Sequence, residues 1–184
     1  MHYITSGIIF AVVIVLMKHL TSSSKKQPIL NGEGVMVLRM NKNYSIFGYM
    51  NIAISAMIGI IPCLGLVETI GDTFIILCLV LFFIGSGTLL VLVSRNTKVE
   101  IYDEKIRYYG ITGKVKEIQW EDIRKVTFGK TSLELSLITM YEKIKIHMHM
   151  VGFLSFIELM KKKIDYSLYE EACDKIGQIY AHLS

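Results

Sequence analysis

The stretch KIRYYGITGKVKEIQWEDIRKV, residues 105–126, alternates apolar and polar side chains in short segments separated by turn residues. A period of two is typical of strands in an antiparallel sheet that buries one face. Residues 105–109 and 114–118 are therefore predicted strands, and residues 110–113 are the turn between them. The stretch predicts a β-hairpin of a water-facing domain.

The same pattern continues on both sides of this hairpin. One strand is predicted before it, at residues 98–102, and three after it, at residues 123–128, 132–137 and 143–148. Residues 153–164 then repeat apolar side chains every three or four positions, which predicts an amphipathic helix. A meander of short strands followed by one such helix predicts a small β-barrel whose open end the helix caps.

The part of the chain before Arg95 has a different composition. Of the 184 residues, 52% are hydrophobic, against about 45–50% in ordinary soluble domains, and most of the excess lies in this part. A helix of about 20 apolar residues crosses a bilayer. Residues 1–20 are predicted to form such an anchor. A cleaved signal peptide is the alternative for this segment, but no lysine or arginine precedes its apolar run, which only Met1 and His2 precede.

Two further apolar runs, residues 46–67 and 73–93, are each long enough to span a bilayer. Their linker is so short that they predict a transmembrane two-helix hairpin at residues 46–94. Small residues mark where the two helices can approach closely: Ser55 and Gly59 in the first, and the run 85–87 in the second.

Basic residues set the predicted orientation, because lysine and arginine are enriched in cytoplasmic loops. The loop at residues 21–45 contains four of them, and Arg95 and Lys98 follow the last span. The two charged residues of the linker 68–72 are both acidic. The sequence thus predicts a cell-membrane protein with its N-terminus outside. The loop 21–45 and the C-terminal domain are predicted to be cytoplasmic.

Composition and motifs also argue against several functional classes. The net charge of +4 is spread over both halves, which leaves no dense basic face to displace counterions from nucleic acid. The three cysteines, Cys63, Cys78 and Cys173, have no paired spacing that predicts a disulfide or metal site. Motifs of hydrolases, phosphate-binding loops and dinucleotide sites are absent from the sequence. We therefore expect no enzymatic activity, no cofactor, no metal and no nucleic-acid partner.

Two local clusters allow both a chemical and a structural interpretation. His147 and His149 have the spacing of two metal ligands on one strand face, but two lysines share that face and no third ligand is close in sequence. Glu121 and Asp122 are paired carboxylates, but adjacent side chains diverge, and Asp122 suits a turn or a cap. We expect a solvated strand face and a turn, respectively.

Three motifs occur in order along the second half: IYDEKI at 101–106, IQWEDIRKV at 118–126 and FLSFIELM at 153–160. In this order they resemble the bacterial pleckstrin-homology-like (PH-like) domain. The whole chain resembles small multi-pass bacterial membrane proteins that carry this domain at the C-terminus. The resemblance implies a PH-like β-barrel at residues 95–165, and in those proteins a strand like residues 35–40 also precedes a two-helix hairpin.

The chain departs from the PH pattern at its first hairpin loop. Phosphoinositide-binding PH domains of eukaryotes place basic residues there, whereas this loop is Asp103-Glu104, which would repel phosphates. Trp120 has the alternative role of covering an end of the barrel. The candidate contacts with headgroups or with a protein partner are Lys105, Arg107, Trp120, Arg39 and Lys42.

Two segments have more than one predicted position. Residues 166–184 predict a second amphipathic helix, which packs on the barrel, on the 21–45 loop or on a partner subunit. Residues 35–40 predict a short strand that lies at the headgroups or pairs with the cytoplasmic sheet.

The sequence predicts an α+β membrane protein with three transmembrane helices, a cytoplasmic PH-like barrel and a C-terminal helix. The expected function is non-enzymatic binding or scaffolding at the membrane, with the bilayer and a protein partner or a second copy as partners. A sensor or accessory subunit of a membrane transporter or enzyme complex is the alternative.

Overall fold

The computed structural model describes residue 24 and residues 26–32, 34–65 and 69–183. The chain divides into two compact units. Of the described residues, those from Lys42 to Thr97 form the helical unit, and those before Lys42 and after Thr97 form the other, here called the sheet unit. The predicted first span, residues 1–20, lies outside the described residues.

The helical unit consists of two long helices, α1 (Asn43–Cys63) and α2 (Ile70–Asn96), which pack against each other. Both are long and apolar enough to cross a membrane. Thr69 caps α2, because its Oγ1 accepts a hydrogen bond of 3.1 Å from the backbone N–H of Asp72. Two of the three predicted spans are therefore helices of the expected kind within the described residues.

The two helices come closest at Gly48 and Gly87. A Cβ atom added at Gly87 would lie 2.7 Å from the carbonyl oxygen of Gly48, and one added at Gly48 would lie 2.6 Å from that of Gly87. Only glycine allows the two backbones to meet at this distance. Within the predicted run 85–87, Gly87 is thus part of the contact between the helices, whereas a Cβ atom at Gly85 would meet nothing within 4 Å.

The larger sheet of the sheet unit is antiparallel. In spatial order its strands are β1 (Ile29–Leu30), β2 (Met36–Met40), β3 (Lys98–Ile101), β4 (Lys105–Tyr109) and β5 (Val115–Gln119). The alternative left open for residues 35–40 is thereby settled, because β2 pairs with β3. The inward side chains of these strands include Leu38, Val99 and Ile106, all fully buried. Each contributes about 1.5–3 kcal/mol of hydrophobic stabilisation.

The smaller sheet contains β6 (Lys125–Gly129), β7 (Glu134–Ile138) and β8 (Lys143–His147). A short β9 (Met150–Val151) follows and pairs with β2, so the chain passes here from the smaller sheet to the larger one. The six predicted strands are all present, with ends shifted by at most two residues.

The expectation of a closed barrel is wrong. Among the described residues, β5 pairs only with β4 and β8 only with β7, so no ladder of hydrogen bonds joins the two sheets into a barrel. The reason is that residues 120–124 form a bend and a turn rather than a strand, so β5 and β6 do not continue as one ladder. The result is two sheets linked by the passage from β8 to β9.

Two helices complete the sheet unit. Helix α3 (Phe153–Lys163) buries Phe153, Phe156, Ile157 and Met160. Its N-cap, Gly152, has φ +85°, and a Cβ atom there would lie 2.6 Å from Pro28 Cβ, so both conformation and space require glycine.

The C-terminal segment forms a short 3₁₀ turn (Tyr166–Leu168) and helix α4 (Glu170–Leu183), which contacts β6. The Tyr180 hydroxyl donates a hydrogen bond of 2.6 Å to Ser24 Oγ. The predicted C-terminal helix therefore packs on a sheet and also contacts the 21–45 segment.

Candidate interaction surface

The outward face of β3 and β4 carries a polar network centred on Glu100. Lys98 Nζ lies 2.7 Å from Glu100 Oε1, and the hydroxyls of Tyr102 and Tyr109 donate hydrogen bonds of 3.1 and 2.9 Å to Oε2. Partial burial alone would raise the pKa of Glu100, but the hydrogen bonds from Lys98 and Tyr109 outweigh it, and the pKa lies below its ordinary value. Glu100 is therefore an ionised anchor for this face.

Lys105 and Arg107 lie together on β4, as their spacing predicts, and share one carboxylate. Glu117 on β5 accepts hydrogen bonds of 2.9 Å from Lys105 Nζ and from Arg107 Nε. The register of the sheet explains this, because Arg107 lies directly opposite Glu117. Hydrogen bonds from Lys105 and then Arg107 hold the pKa of Glu117 below its ordinary value. A phosphate or carboxylate that binds these two cations must compete with Glu117.

Trp120 lies at the end of β5 and is buried. Its Nε1–H donates a hydrogen bond of 3.1 Å to the carbonyl oxygen of Tyr102, and its ring stacks on Phe156 with 6.0 Å between ring centroids. These contacts give Trp120 a structural role, although it does not cover the end of a barrel as expected, because no barrel closes among the described residues. The neighbouring Glu121 and Asp122 are exposed in a turn, as their sequence predicts.

The remaining two candidates, Arg39 and Lys42, are both exposed but belong to different units. Arg39 lies on β2 and pairs in register with Lys98. Lys42 is the N-cap residue of α1. Neither residue belongs to the β4–β5 face.

The expectation of a solvated face at the two histidines is wrong. Strand β8 ends at His147, the chain turns toward the larger sheet, and His149 is only 3% exposed. The His149 N–H donates a hydrogen bond of 3.2 Å to His147 Nδ1. Burial, and then the proximity of His147, lower the pKa of His149 to about 4. No group of three side chains suited to hold a metal occurs among the described residues.

The sheet unit also contains a basic cleft that the sequence did not predict. Its volume is about 340 Å³, and it is lined by Tyr108, Lys116, Lys143 and Lys145. Lys116 comes from β5 of the larger sheet, and the other two lysines come from β8 of the smaller one. Each strand alone predicts only a solvated face. The cleft depends on two edge strands meeting across separate sheets, which local periodicity does not reveal.

Comparison of the chain with protein families, with curated proteins and with solved structures gives no match. What the protein binds is therefore inferred from its own residues and contacts.

Proposed function

We propose that this chain is a multi-pass protein of the cell membrane that presents a PH-like domain for binding at the cytoplasmic face, without enzymatic activity. One observation carries the proposal. Strands β2 and β3 pair with each other, although the two apolar helices lie between them in the chain. A pair of membrane crossings returns the chain to the side it left, which is what this pairing needs.

The exposure of the helices supports their insertion in lipid. Only 11% of the 18-residue apolar stretch of α1 and 6% of that of α2 are buried, whereas the core helix of a soluble protein is mostly buried. Phe74 and Phe82, for example, are 66% and 65% exposed. An apolar surface of this extent is expected to contact lipid or other membrane helices.

The charges at the ends of the helices support the orientation. Lys42 immediately precedes α1, and Arg95 lies in the last turn of α2. Asp72 lies in the first turn of α2, at the tip of the hairpin. By the bias of basic residues toward the cytoplasm, both flanks of the hairpin are cytoplasmic and its tip is outside. An anchor at residues 1–20 would then place the N-terminus outside.

The sheet unit suits a binding role. Its β4–β5 face displays Lys105 and Arg107 in fixed positions beside the network around Glu100. Strand β5 supplies Glu117, which holds both cations in place. A face with ordered charges suits a protein partner or a second copy, and the cations suit acidic groups.

The second candidate function is a sensor or accessory subunit of a membrane transporter or enzyme complex. The observation that favours it is the wide apolar surface of α2, including Leu81 and Phe82, which α1 leaves uncovered. Helices of a partner would then bind the hairpin, and the sheet unit would be secondary.

Site-specific photo-cross-linking of the full chain in its native membrane tests these two functions. A photoreactive residue at Gln119, on the β4–β5 face, is expected to give a discrete protein adduct, and a second one at Phe82 reports on the hairpin. Adducts only from position 82 would favour the accessory subunit. Absence of any adduct from position 119 would contradict the proposed binding role.

The orientation is tested with single cysteines in a chain whose native cysteines are replaced by serine. A cysteine at Thr69 is expected to react with a membrane-impermeant maleimide in intact cells. A cysteine at Thr131, in the exposed β6–β7 turn, is expected to react only after the membrane is opened. The reverse result would contradict the proposed orientation.

A further inference from the structure

The chain enters and leaves the helical hairpin at the same end of the larger sheet. The chain leaves the sheet after Met40 and returns at Lys98. Lys98 lies opposite Tyr109, and Tyr109 lies opposite Val115. The β4–β5 turn, residues 110–114, is therefore at the same end of the sheet as the two junctions with the hairpin.

The β7–β8 turn, residues 139–142, belongs to this end as well. Lys116 of β5 forms an ion pair with Glu142, and its Nζ lies 3.4 Å from the carbonyl oxygen of Lys143. Met140 and Tyr141 stand on this turn and are 73% and 90% exposed. Both side chains are therefore accessible to a binding partner.

The turn that carries these two side chains is ordered by its own hydrogen bonds. Thr139 Oγ1 accepts bonds of 3.2 Å from the N–H of Tyr141 and 2.9 Å from that of Glu142. Its hydroxyl also lies 3.1 Å from the carbonyl oxygen of Glu142. The backbone that carries Met140 and Tyr141 is thereby ordered before any partner binds, which lowers the entropic cost of binding.

Basic side chains surround this turn. Lys114, Lys116 and Lys143 lie at this end of the unit, and Lys145 completes the cleft of about 340 Å³. Glu142 pairs with Lys116, and Glu134 pairs with Lys145. Among the described residues, no carboxylate pairs with Lys114 or Lys143. The end therefore has a surplus of positive charge.

The far end of the same sheet has the opposite charge. The β3–β4 turn there consists of Asp103 and Glu104, both exposed, with Lys163 as the cation that contacts Asp103. The two ends of the larger sheet therefore differ: an acidic turn lies at the end away from the hairpin, and Lys114 lies at the end that joins it.

We infer that this end, the basic tip defined by Lys114, Lys116, Met140, Tyr141 and Lys143, docks on the anionic surface of the bilayer. Tyrosine and methionine side chains enter the headgroup region, where a ring with a polar hydroxyl is favoured. The lysines attract acidic phospholipids without selecting one headgroup. This inference rests on the proposed insertion of the hairpin, which brings the tip to the membrane.

The test places a fluorophore at the tip of the full chain in vesicles. In a chain with its native cysteines replaced by serine, bimane is attached at Tyr141→Cys or at Thr131→Cys, the control at the other end of β7. Vesicles contain phosphatidylcholine with or without phosphatidylglycerol and a nitroxide at headgroup depth. We expect quenching at position 141 to be several-fold stronger than at position 131, and to weaken in concentrated salt and without phosphatidylglycerol.

Charge variants separate the tip from the overall charge of the protein. Replacing Lys114, Lys116 and Lys143 together by Gln is expected to reduce quenching at position 141 several-fold. The matched control replaces Lys130, Lys161 and Lys162, which lie outside the tip, and is expected to leave it unchanged. Fluorescence of Trp120, the single tryptophan, checks that each variant is folded.

Two outcomes would overturn the inference: equal quenching at both positions, or equal effects of the two triple variants. An alkaline wash of the vesicles separates this failure from that of the proposed function. If the chain resists extraction while position 141 stays in water, only the docking is wrong. If the wash extracts the chain, the membrane insertion is wrong too.

Discussion

Arg39 of β2 and Lys98 of β3 lie directly opposite each other on neighbouring strands, although the whole helical hairpin separates them in the chain. The hairpin is therefore an insertion within a sheet and not an anchor placed before a self-contained domain. A fragment that begins at residue 95 would lack β2, and with it Val37, Leu38 and Met40, all of which are buried.

This pairing predicts that the hairpin can be removed. A chain in which residues 24–41 are joined to residues 98–184 by two glycines should fold as a soluble protein, because Arg39 and Lys98 already have the spacing of a β-hairpin. Cooperative unfolding in denaturant, followed by Trp120 fluorescence, is the measurement.

The control for the joined chain is the fragment 95–184. Loss of three buried side chains, each about 1.5–3 kcal/mol, is comparable to the whole stability of a small domain, so the fragment should be unfolded or aggregated. A fragment as stable as the joined chain would refute the role given to β2.

The contact between Gly48 and Gly87 predicts a second effect. Gly87→Ala forces the helices apart, because the new Cβ atom would meet a backbone carbonyl that has no other rotamer. Overpacking of this kind typically costs about 1–3 kcal/mol. Gly85→Ala is the matched control in the same helix, because its Cβ atom meets nothing within 4 Å.

The distance between the helices can be measured by disulfide formation. Gly59 and Val80 face each other with ordinary van der Waals spacing, so Gly59→Cys with Val80→Cys should cross-link in the otherwise cysteine-free chain. We expect Gly87→Ala to slow this reaction several-fold and Gly85→Ala to leave it unchanged. Equal rates would show that the glycine pair does not hold the hairpin together.

Local patterns in the sequence predicted the strands and helices well. Strand β4 has the predicted bounds, and α3 ends one residue before its predicted end. An alternation of period two and a repeat of three or four both arise when a segment buries one face in the core. The residues of that segment alone therefore reveal them. The joint position of Lys105 and Arg107 followed from the same rule, because residues two apart on a strand share a face.

Such local patterns did not predict the contacts between distant segments. Strand β2 was predicted as a strand, but its partner β3 follows the hairpin, and no local feature identifies that pairing. His149 looked solvated because its spacing continues that of β8, yet the passage between sheets carries it into the interior. The partner of Gly87 was missed for a related reason: Gly48 lies near the start of α1, and only the crossing point of the two helices selects it.

The shared carboxylate of Glu117 predicts a gain of binding. Glu117→Gln removes the charge that holds Lys105 and Arg107, so an acidic partner or headgroup no longer competes with it. We expect a higher yield of the photo-adduct from position 119, with little change in thermal stability because the pair is exposed. Glu134→Gln, which releases Lys145 in the smaller sheet, is the matched control and should leave the yield unchanged. A lower yield with Glu117→Gln would exclude these cations as the binding groups.

Burial of His149 predicts that the stability of the sheet unit falls in mild acid. The pKa of His149 is about 4 in the folded chain and about 6.5 when unfolded. Between these values the unfolded chain binds more protons, so the free energy of unfolding decreases as the pH falls. At pH 5 the loss reaches about 2 kcal/mol relative to neutral pH. Burial also lowers the pKa of His147, although Glu134 opposes this, so its contribution has the same sign.

The carboxylates do not obscure this effect, because the pKa values of Glu100 and Glu117 are lowered and their stabilisation is lost only at more acidic pH, below their unfolded value of about 4.3. Denaturant unfolding of the full chain in detergent, followed by Trp120 fluorescence between pH 5 and neutral pH, measures the slope. His149→Gln cannot be protonated in this range and should flatten most of it. If the variant keeps the slope of the native chain, a different group is responsible, and the buried position of His149 has no part in the acid sensitivity of the fold.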